Sequence, residues 1–272
     1  MKSVILCDLD GVVWLSHDPI PGSVEAITAL RAAGHRVIFV TNNSYSLVES
    51  QEQSLAKIGL PSVGDVLTSA GAAATLLKSG QRILVAGGPG IVEAVEHVDA
   101  VVVGRTDDDL DETNAQKIDV DIDAVIVGFH RTFNYLSLHR ASAAVRAGAT
   151  LIGTNDDATY PTPTGVIPGG GSILAAIATA GGVEPIVAGK PYAPMGTLVR
   201  RALDREDLTD CWMVGDRYST DGEFAKSIGA KFAHVTSGVT SREQAESLQL
   251  KHTFELVVDN LLQFARDLGV AV

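Results

Sequence analysis

A short run of apolar and small residues near the N-terminus, ended by two acidic residues, constrains this chain more than any other feature. The run is Ser3-Val-Ile-Leu-Cys7, and Asp8 and Asp10 follow it with one leucine between them. Such a run is typical of a strand buried on both faces of a parallel sheet. Because side chains alternate along a strand, Asp8 and Asp10 leave the carboxyl edge of the sheet on the same side. Open α/β sheets bind ligands at this edge, so the two carboxylates mark a candidate site.

After this strand the chain alternates between helices that end near glycines and apolar strands. The pattern predicts helices at 23–34, 45–58 and 71–77, with strands at 36–41 and 66–69 between them. A β-α-β-α-β alternation of this kind predicts an α/β fold with a doubly wound, Rossmann-like parallel sheet.

A second alternation follows the third strand and continues to the end of the chain. It includes a loop rich in proline and glycine and a closing helix, over residues 160–171 and 255–268. A length of 272 residues fits about two domains. The simplest organisation is a core domain, residues 1–72 and 185–272, interrupted by a smaller α/β domain, residues 73–184.

The net charge of −12 limits the choice of partners. It argues against nucleic acid or an acidic membrane surface as the main partner, because both are polyanions. A small anionic substrate is still compatible, since backbone donors and a metal ion can dominate the field at one site. No apolar run approaches the roughly 18 residues of a membrane helix, and Asp8 ends the first run too early for a secretory signal. We therefore expect a cytoplasmic protein.

The chain has only two cysteines, which excludes a disulfide framework and a four-cysteine zinc site. Cys7 ends the first strand, and Cys211 opens a later one. If these strands are parallel neighbours with Asp8 level with Asp216, the sulfurs lie roughly 13 Å apart. That separation is too large for a disulfide, so we expect two buried thiols.

Four predicted strands end in acidic or polar residues, in the order Asp8 and Asp10, Thr41-Asn42-Asn43, Lys190, and Asp216 with Asp221. The segments read Asp-Leu-Asp-Gly, Thr-Asn-Asn-Ser, Gly-Lys-Pro and Gly-Asp-Arg-Tyr-Ser-Thr-Asp. Together they resemble the four signature motifs of the haloacid dehalogenase-like (HAD) hydrolases. They are most similar to the NagD-like, 4-nitrophenylphosphatase-like group, in which an α/β cap is inserted between the second and third motifs. The resemblance covers essentially the whole chain and implies a phosphatase with a HAD core and a cap domain.

The first motif supplies the groups that phosphoryl transfer needs. Asp8 suits the nucleophile, because a carboxylate can form an aspartyl-phosphate that water later hydrolyses. Asp10 can protonate the leaving alcohol and then deprotonate the attacking water. The resemblance implies the same two roles, and Gly11 supports them because the chain must turn sharply there. The alternative is a pair of solvated loop aspartates.

The second and third motifs offer donors and positive charge. Thr41, Asn42 and Asn43 carry hydroxyl and amide groups suited to a phosphoryl oxygen, although the same residues could cap a helix. Lys190 can keep nearby carboxylates ionised and neutralise the transferred group. A lone lysine before a proline is usually a surface residue, but the predicted strand over 185–189 carries Lys190 to the sheet edge.

The fourth motif completes a predicted magnesium site. Asp216 resembles the metal ligand of the family, and with Asp8 and the backbone carbonyl of Asp10 it gives the oxygen-only ligation that Mg²⁺ prefers. No cluster of histidine and cysteine competes for zinc. Asp221 could hold Lys190 or a metal-bound water, or it could only cap the next helix.

Four other segments have weaker functional interpretations. Gly87–Gly90 lacks the third glycine of a dinucleotide fingerprint. Gly169–Ser172 could bind an anion through its amides, but a hinge or close-packing turn is the simpler interpretation. Asp107–Glu112 fits a solvated loop, and His130–Arg131 fits a surface pair.

The sequence therefore predicts a Mg²⁺-dependent phosphatase that acts on a small phosphate monoester. Sugar and glycerol phosphates, phosphoglycolate, pyridoxal phosphate and nucleoside monophosphates all fit the family. We expect substrate contacts from the irregular loop over 154–172. Two alternatives are a phosphotransferase or phosphomutase and a non-catalytic ligand-binding protein with a vestigial site. The resemblance is also compatible with a homodimer formed through the cap.

Overall fold

The structure is a computed structural model and describes residues 2–15, 17–107, 121–162 and 165–272. Its strands are β1 Val4–Cys7, β2 Trp14–Leu15, β3 Asp18–Pro19, β4 Arg36–Thr41, β5 Val66–Thr68, β6 Arg82–Ala86, β7 Val101–Arg105, β8 Ala124–Val127, β9 Thr150–Gly153, β10 Thr159–Thr162, β11 Gly165–Pro168, β12 Ile186–Val187, β13 Trp212–Gly215, β14 Lys231–Val235 and β15 Leu256–Val258.

The helices are α1 Ser23–Ala32, α2 Val48–Lys57, α3 Ser69–Ala74, α4 Pro89–His97, α5 Tyr135–Arg146, α6 Gly170–Gly181, α7 Ala193–Leu203, α8 Glu223–Ile228, α9 Arg242–His252 and α10 Leu261–Asp267. A π-helical turn, Tyr218–Gly222, precedes α8. Among the described residues, no helix has both the length and the apolar character needed to cross a membrane.

The chain divides into two compact units. The first contains Met1–Thr41, Val48–Leu67 and Lys190–Val272, and the second contains Asn42–Leu47 and Thr68–Gly189. The short segment after β4 thus belongs to the second unit. Two hydrogen bonds within that unit account for this placement: the Thr154 hydroxyl donates to the Ser44 hydroxyl at 2.9 Å, and the Gly90 amide donates to the Tyr45 carbonyl at 3.0 Å.

The first unit is built on a six-stranded sheet in the order β15-β14-β13-β1-β4-β5. The pairings that join β1, β4, β13, β14 and β15 are parallel. One face of the sheet packs against α1 and α10, whose apolar side chains share a buried cluster with alternate residues of the strands. Helix α8 contacts β13 and β14, and its Phe224 is buried outside that cluster. The predicted doubly wound parallel sheet is confirmed.

The second unit contains a five-stranded sheet in the order β12-β9-β8-β6-β7, in which every pairing is parallel. Helices α5 and α6 pack on it through a separate apolar cluster that includes Leu84, Val125, Val127 and Leu151. This unit therefore has a hydrophobic core of its own, as an inserted α/β domain requires.

The predicted loop over residues 160–171 is wrong. Strands β10 and β11 form an antiparallel hairpin in which Tyr160 pairs with Ile167, and α6 already begins at Gly170. Prolines at 161 and 168 suggested a loop, but proline is tolerated in a two-stranded ribbon because each strand has one free edge.

The predicted closing helix over 255–268 is wrong in its first half. Leu256–Val258 forms the edge strand β15, and the helix begins only after Asn260, whose side chain accepts a hydrogen bond from the Gln263 amide at 3.1 Å. Helix α9 was not predicted. Of its residues only Ala245 is buried, so it lacks the apolar periodicity that identifies a helix in a sequence.

The two cysteines are free and buried, as predicted. The strand register differs by one residue from the expected alignment. Cys7 is level with Val214, so Asp8 is level with Gly215, and Asp216 lies one residue further along.

His234 is an unusual residue in the core of the first unit. It lies on β14 and is fully buried, and among the described residues neither ring nitrogen has a hydrogen-bond partner. Its ring contacts those of Phe232 and Phe254, with centroids 5.7 and 6.1 Å away. Burial lowers the pKa of His234 to about 4, so the folded protein keeps this ring neutral.

Replacement of His234 by phenylalanine should make the protein more resistant to acid. A histidine in the unfolded chain takes up a proton as the pH falls through about 6.5, whereas folded His234 resists protonation until about pH 4. The wild type therefore loses stability progressively as the pH falls between these two values, and His234→Phe removes that loss. Free energies of unfolding in urea at neutral and mildly acidic pH measure the difference.

His97→Phe, at an exposed position, is the matched control and should leave the pH dependence of the wild type unchanged. If His234→Phe and the wild type lose the same stability on acidification, His234 does not contribute to acid sensitivity.

Candidate active site

The site lies at the carboxyl end of β1, the strand that pairs with both β4 and β13. The amide of Asp8 donates to the carbonyl of Val214 at 2.9 Å, which continues the parallel ladder to the last residue before the turn. The backbone of Asp8 is thus fixed by the sheet, and its side chain, 14% exposed, extends beyond the strand end.

Lys190 connects two acidic side chains of the site. Its Nζ lies 2.8 Å from Asp8 Oδ1 and 2.6 Å from Asp221 Oδ1, and the lysine side chain is only 2% exposed. Burial opposes the charge of Lys190, but the ion pairs with Asp221 and Asp8 outweigh it and hold the lysine pKa above its usual value. A lysine that would ordinarily be a surface residue is therefore a buried, fixed cation.

Asp216 and Asp221 follow β13. Asp216 Oδ2 accepts a hydrogen bond from the amide of Val239 at 2.8 Å. Asp221 lies in the π-helical turn, where its Oδ2 accepts from the amide of Arg217 at 3.2 Å. The helix-cap alternative for Asp221 is wrong, because α8 begins at Glu223 and Asp221 instead pairs with Lys190.

Asp10 and Gly11 form the turn after β1. One carboxylate oxygen of Asp10 accepts a hydrogen bond from the indole nitrogen of Trp14 at 3.2 Å. Gly11 has a φ of +83°, a conformation that favours glycine. A Cβ at Gly11 or at Gly238 would also collide with the carboxylate of Asp216. The turn therefore requires glycine for both its conformation and its closeness to Asp216.

The residues of the second motif divide between the two units. Thr41 is buried at the carboxyl end of β4, next to β1 in the sheet of the first unit. In the second unit, Asn42 Nδ2 donates to Asp157 Oδ2 at 3.2 Å, and Asn43 Oδ1 accepts from the Tyr45 amide at 2.9 Å. Neither Asn42 nor Asn43 caps a regular helix, since α2 begins at Val48.

The electrostatics of the first unit show an excess of buried negative charge. Burial, and then the charges of Asp8 and Asp221, raise the pKa of Asp216 to about 7. Burial and the charge of Asp8 raise the pKa of Asp10 to about 6, against the opposing hydrogen bond from Trp14. Burial also raises the pKa of Asp8, although Lys190 opposes the shift. One lysine does not compensate four neighbouring carboxylates.

The donor set fits a divalent cation. Carboxylate oxygens of Asp8, Asp216 and Asp221 lie within 4.8 Å of one another. Hard cations such as Mg²⁺ prefer oxygen ligands of this kind, and a divalent cation would offset the excess negative charge. Gly11 and Gly238 lie beside the carboxylate of Asp216, and a side chain at either position would occupy the space of that carboxylate.

Sequence reasoning missed two contributors to the site. The Gly238–Val239 loop holds Asp216, and Trp14 holds Asp10. The Ser-Gly pair at 237–238, two residues beyond the end of β14, was an available signal for the loop, because small residues permit close backbone approach. Nothing in the sequence indicated a role for Trp14, since a tryptophan in an apolar stretch is ordinarily predicted to be a core residue.

Three of the segments with weaker functional interpretations have structural roles or surroundings that the structure describes at least in part. His130 is buried in the second unit, with Nε2 3.1 Å from the Thr106 hydroxyl, so the predicted surface pair is wrong for this residue. A Cβ at Gly171 would collide with the backbone of Asp156, which fits the predicted close-packing turn. In the acidic segment Asp107 pairs with Arg105 at 2.8 Å, and residues 108–112 lie outside the described residues.

Comparisons with known proteins match this architecture. The family profile for haloacid dehalogenase-like hydrolases matches residues 5–100, and a related HAD-hydrolase-like profile matches residues 187–264. The chain is 37% identical to D-glycerol 3-phosphate phosphatase of Mycobacterium tuberculosis over 89% of this chain and 66% of that protein. It is 31% identical to acid sugar phosphatase of Staphylococcus saprophyticus over 92% of each.

A solved structure is similar as well. The glycerol phosphate phosphatase of Mycobacterium tuberculosis in complex with magnesium superposes with a TM-score of 0.80 at 31% identity, covering 97% of this chain and 76% of that one. The family prediction made from the four motifs is confirmed: the chain belongs to the haloacid dehalogenase-like hydrolases.

Proposed function

We propose that this protein is a Mg²⁺-dependent phosphatase that hydrolyses small phosphate monoesters through an aspartyl-phosphate intermediate. The observation that carries the proposal is the 2.8 Å contact between the Nζ of the buried Lys190 and the partly exposed carboxylate of Asp8, at the end of a central strand. A carboxylate fixed there beside a cation suits attack on an anionic phosphoryl group. Similarity to a glycerol phosphate phosphatase and an acid sugar phosphatase supports the substrate class.

The reaction has two steps. First, an oxygen of Asp8 attacks phosphorus, the bond to the leaving oxygen breaks, and the carboxyl proton of Asp10 passes to that oxygen. The alcohol leaves, and Asp8 carries the phosphoryl group. Second, Asp10 takes a proton from water while the water oxygen attacks phosphorus and the bond to Asp8 breaks. Phosphate leaves and both carboxyl groups return to their initial states.

The environment of Asp10 suits both of its tasks. Burial and the neighbouring charge bring the pKa of Asp10 to about 6, which is close to neutral pH. A group with such a pKa can give a proton in the first step and accept one in the second.

The other motif residues bind the phosphoryl group and the metal. Asp8, Asp216 and the backbone carbonyl of Asp10 would hold Mg²⁺, which when bound supplies positive charge for the phosphoryl oxygens. Lys190 and the donors of the Thr41–Asn43 segment bind the remaining oxygens. Asp221 holds Lys190 in place through the 2.6 Å ion pair.

We assign the choice of substrate to the smaller domain, residues 73–184, acting as a cap that excludes water. The β10–β11 hairpin supports this assignment. The Tyr160 ring stacks on Phe129 with centroids 5.2 Å apart, and Phe129 meets Tyr45 edge to face at 5.8 Å. Aromatic surfaces of this kind suit the non-phosphate part of a substrate.

The proposed substrate is a small phosphorylated metabolite of the cytoplasm. Two buried, free thiols suit that reducing compartment.

Asp8→Asn should abolish phosphate release, lowering kcat by on the order of 10³-fold or more, because the amide cannot act as the nucleophile. Release of phosphate from an aryl phosphate, with and without Mg²⁺, measures the effect. Asp204→Asn, at an exposed position, is the control and should keep wild-type activity. If the wild type releases no phosphate in a Mg²⁺-dependent manner from any of a panel of monoesters, the phosphatase proposal is wrong.

Gly238→Ala should weaken Mg²⁺ binding by roughly 10–100-fold, because the new methyl group displaces the carboxylate of Asp216. Titration calorimetry with Mg²⁺ measures the affinity. Val239→Ala is the matched control: it shortens an exposed neighbouring side chain and keeps the amide that binds Asp216. Unchanged affinity in a folded Gly238→Ala protein would contradict the assignment of Asp216 as a ligand.

Tyr160→Ala should change the ranking of physiological monoesters while activity on a small aryl phosphate stays close to wild type. The reason is that the hairpin is proposed to contact the leaving group and not the phosphoryl group. Tyr135→Ala, on an exposed tyrosine of the same unit, is the control. An equal loss on every substrate would count against a specificity role.

A further inference from the structure

Trp14 contacts the Asp10–Gly11 turn through both its side chain and its backbone. The indole Nε1 donates to Asp10 Oδ1 at 3.2 Å, and the carbonyl of Trp14 accepts from the Gly11 amide at 2.8 Å. The Trp14 amide in turn lies 3.2 Å from the carbonyl of Leu9, to which it donates. Residues 9–14 therefore form a closed turn, with the carboxylate of Asp10 tied to its far end.

The indole ring has little freedom to move. Trp14 is only 1% exposed and belongs to the main apolar cluster of the first unit. Its backbone pairs with Pro19 in the β2–β3 hairpin, and the His17 ring lies 4.9 Å from the indole. Because a buried indole N–H requires an acceptor, the ring and the carboxylate fix each other.

The two carboxylate oxygens of Asp10 differ in their hydrogen bonding. Oδ1 accepts the indole hydrogen bond, whereas Oδ2 has no hydrogen-bond partner in the described part of the chain. A carboxyl group on an aspartate can rotate about two single bonds, and anchoring one oxygen limits the directions in which the other can point. Proton transfer depends on such positioning.

We propose that Trp14 is a positioning residue for Asp10: its indole N–H anchors Oδ1 and thereby directs Oδ2 toward the oxygen of the leaving group. This inference depends on the proposed function, in which Asp10 protonates that oxygen. Trp14 touches neither substrate nor metal in this proposal and acts only through Asp10.

The test compares leaving groups. A monoester of a simple alcohol needs protonation of its leaving oxygen, whereas 2,4-dinitrophenolate leaves without it. Trp14→Phe should lower kcat/KM for an alkyl phosphate by roughly tenfold, the rate equivalent of one hydrogen bond to a charged group. For 2,4-dinitrophenyl phosphate the loss should shrink to about twofold or less, because the proton contributes little to that step.

The second tryptophan provides the matched control. Trp212 is 9% exposed on β13 and packs edge to face on Phe264 at 5.5 Å, away from Asp10. Trp212→Phe should give the same small change on both substrates. An equal loss on both substrates by Trp14→Phe, or no loss on either, overturns the positioning role.

A second variant covers the case in which Trp14→Phe disturbs the core. Replacement of Trp14 by β-(3-benzothienyl)alanine keeps the size of the ring system and exchanges the N–H for sulfur. The same selective loss on the alkyl phosphate is expected, and wild-type behaviour of this variant would overturn the proposal.

An NMR measurement tests the contact without relying on activity. The chain has two tryptophans, so the indole ¹⁵N–¹H signal of Trp14 is identified by its absence in Trp14→Phe. That signal should move in Asp10→Asn while the signal of Trp212 does not, and an unmoved Trp14 signal contradicts the hydrogen bond. Mg²⁺-dependent hydrolysis of 2,4-dinitrophenyl phosphate by the wild type separates failure of this inference from failure of the phosphatase proposal.

Discussion

The buried charge of Lys190 is the interaction on which the rest of the site depends. It holds Asp8 and Asp221 at 2.8 and 2.6 Å and so joins the first, third and fourth motifs. Removal of one partner from such a group leaves the other charges buried without compensation, which typically costs about 3–5 kcal/mol. The ion pairs therefore explain why acidic side chains can stay at the end of an otherwise apolar strand.

The parallel sheet makes this cluster possible. Strands β1, β4 and β13 are neighbours in the six-stranded sheet and end at one edge, so the side chains that follow β1 and β13 can come together. Lys190, 182 residues from Asp8 in the chain, differs from the sequence prediction, because the strand before it, β12, belongs to the five-stranded sheet of the second unit and not to this one. The register matters as well. Because Asp8 is level with Gly215, Asp216 lies one residue beyond the paired part of β1 and β13. There its carboxylate accepts a hydrogen bond from the Val239 amide.

The sequence was sufficient to predict the parallel fold and the polar strand ends, because apolar runs and their terminal residues are local signals. It was not sufficient where tertiary contacts determine whether a segment forms a strand or a helix. The β10–β11 hairpin contains prolines, α9 has almost no buried face, and β15 forms only because the sheet offers it an edge. Within the site, the pairing of Asp221 with Lys190 was one of several open alternatives, and the bond between Trp14 and Asp10 left no trace in the pattern. Both depend on side-chain directions that spacing alone does not define.

Gly11 and Gly238 limit how the site could be transferred to another protein. They approach the carboxylate of Asp216 from two distant parts of the chain, and a Cβ at either position would overlap it. The site is thus specified by two missing side chains as much as by its acids and its lysine. A graft of only the charged residues onto another α/β sheet would reproduce the composition of the site but not the space in which its acids lie. A useful search template for such sites therefore includes positions that must stay empty.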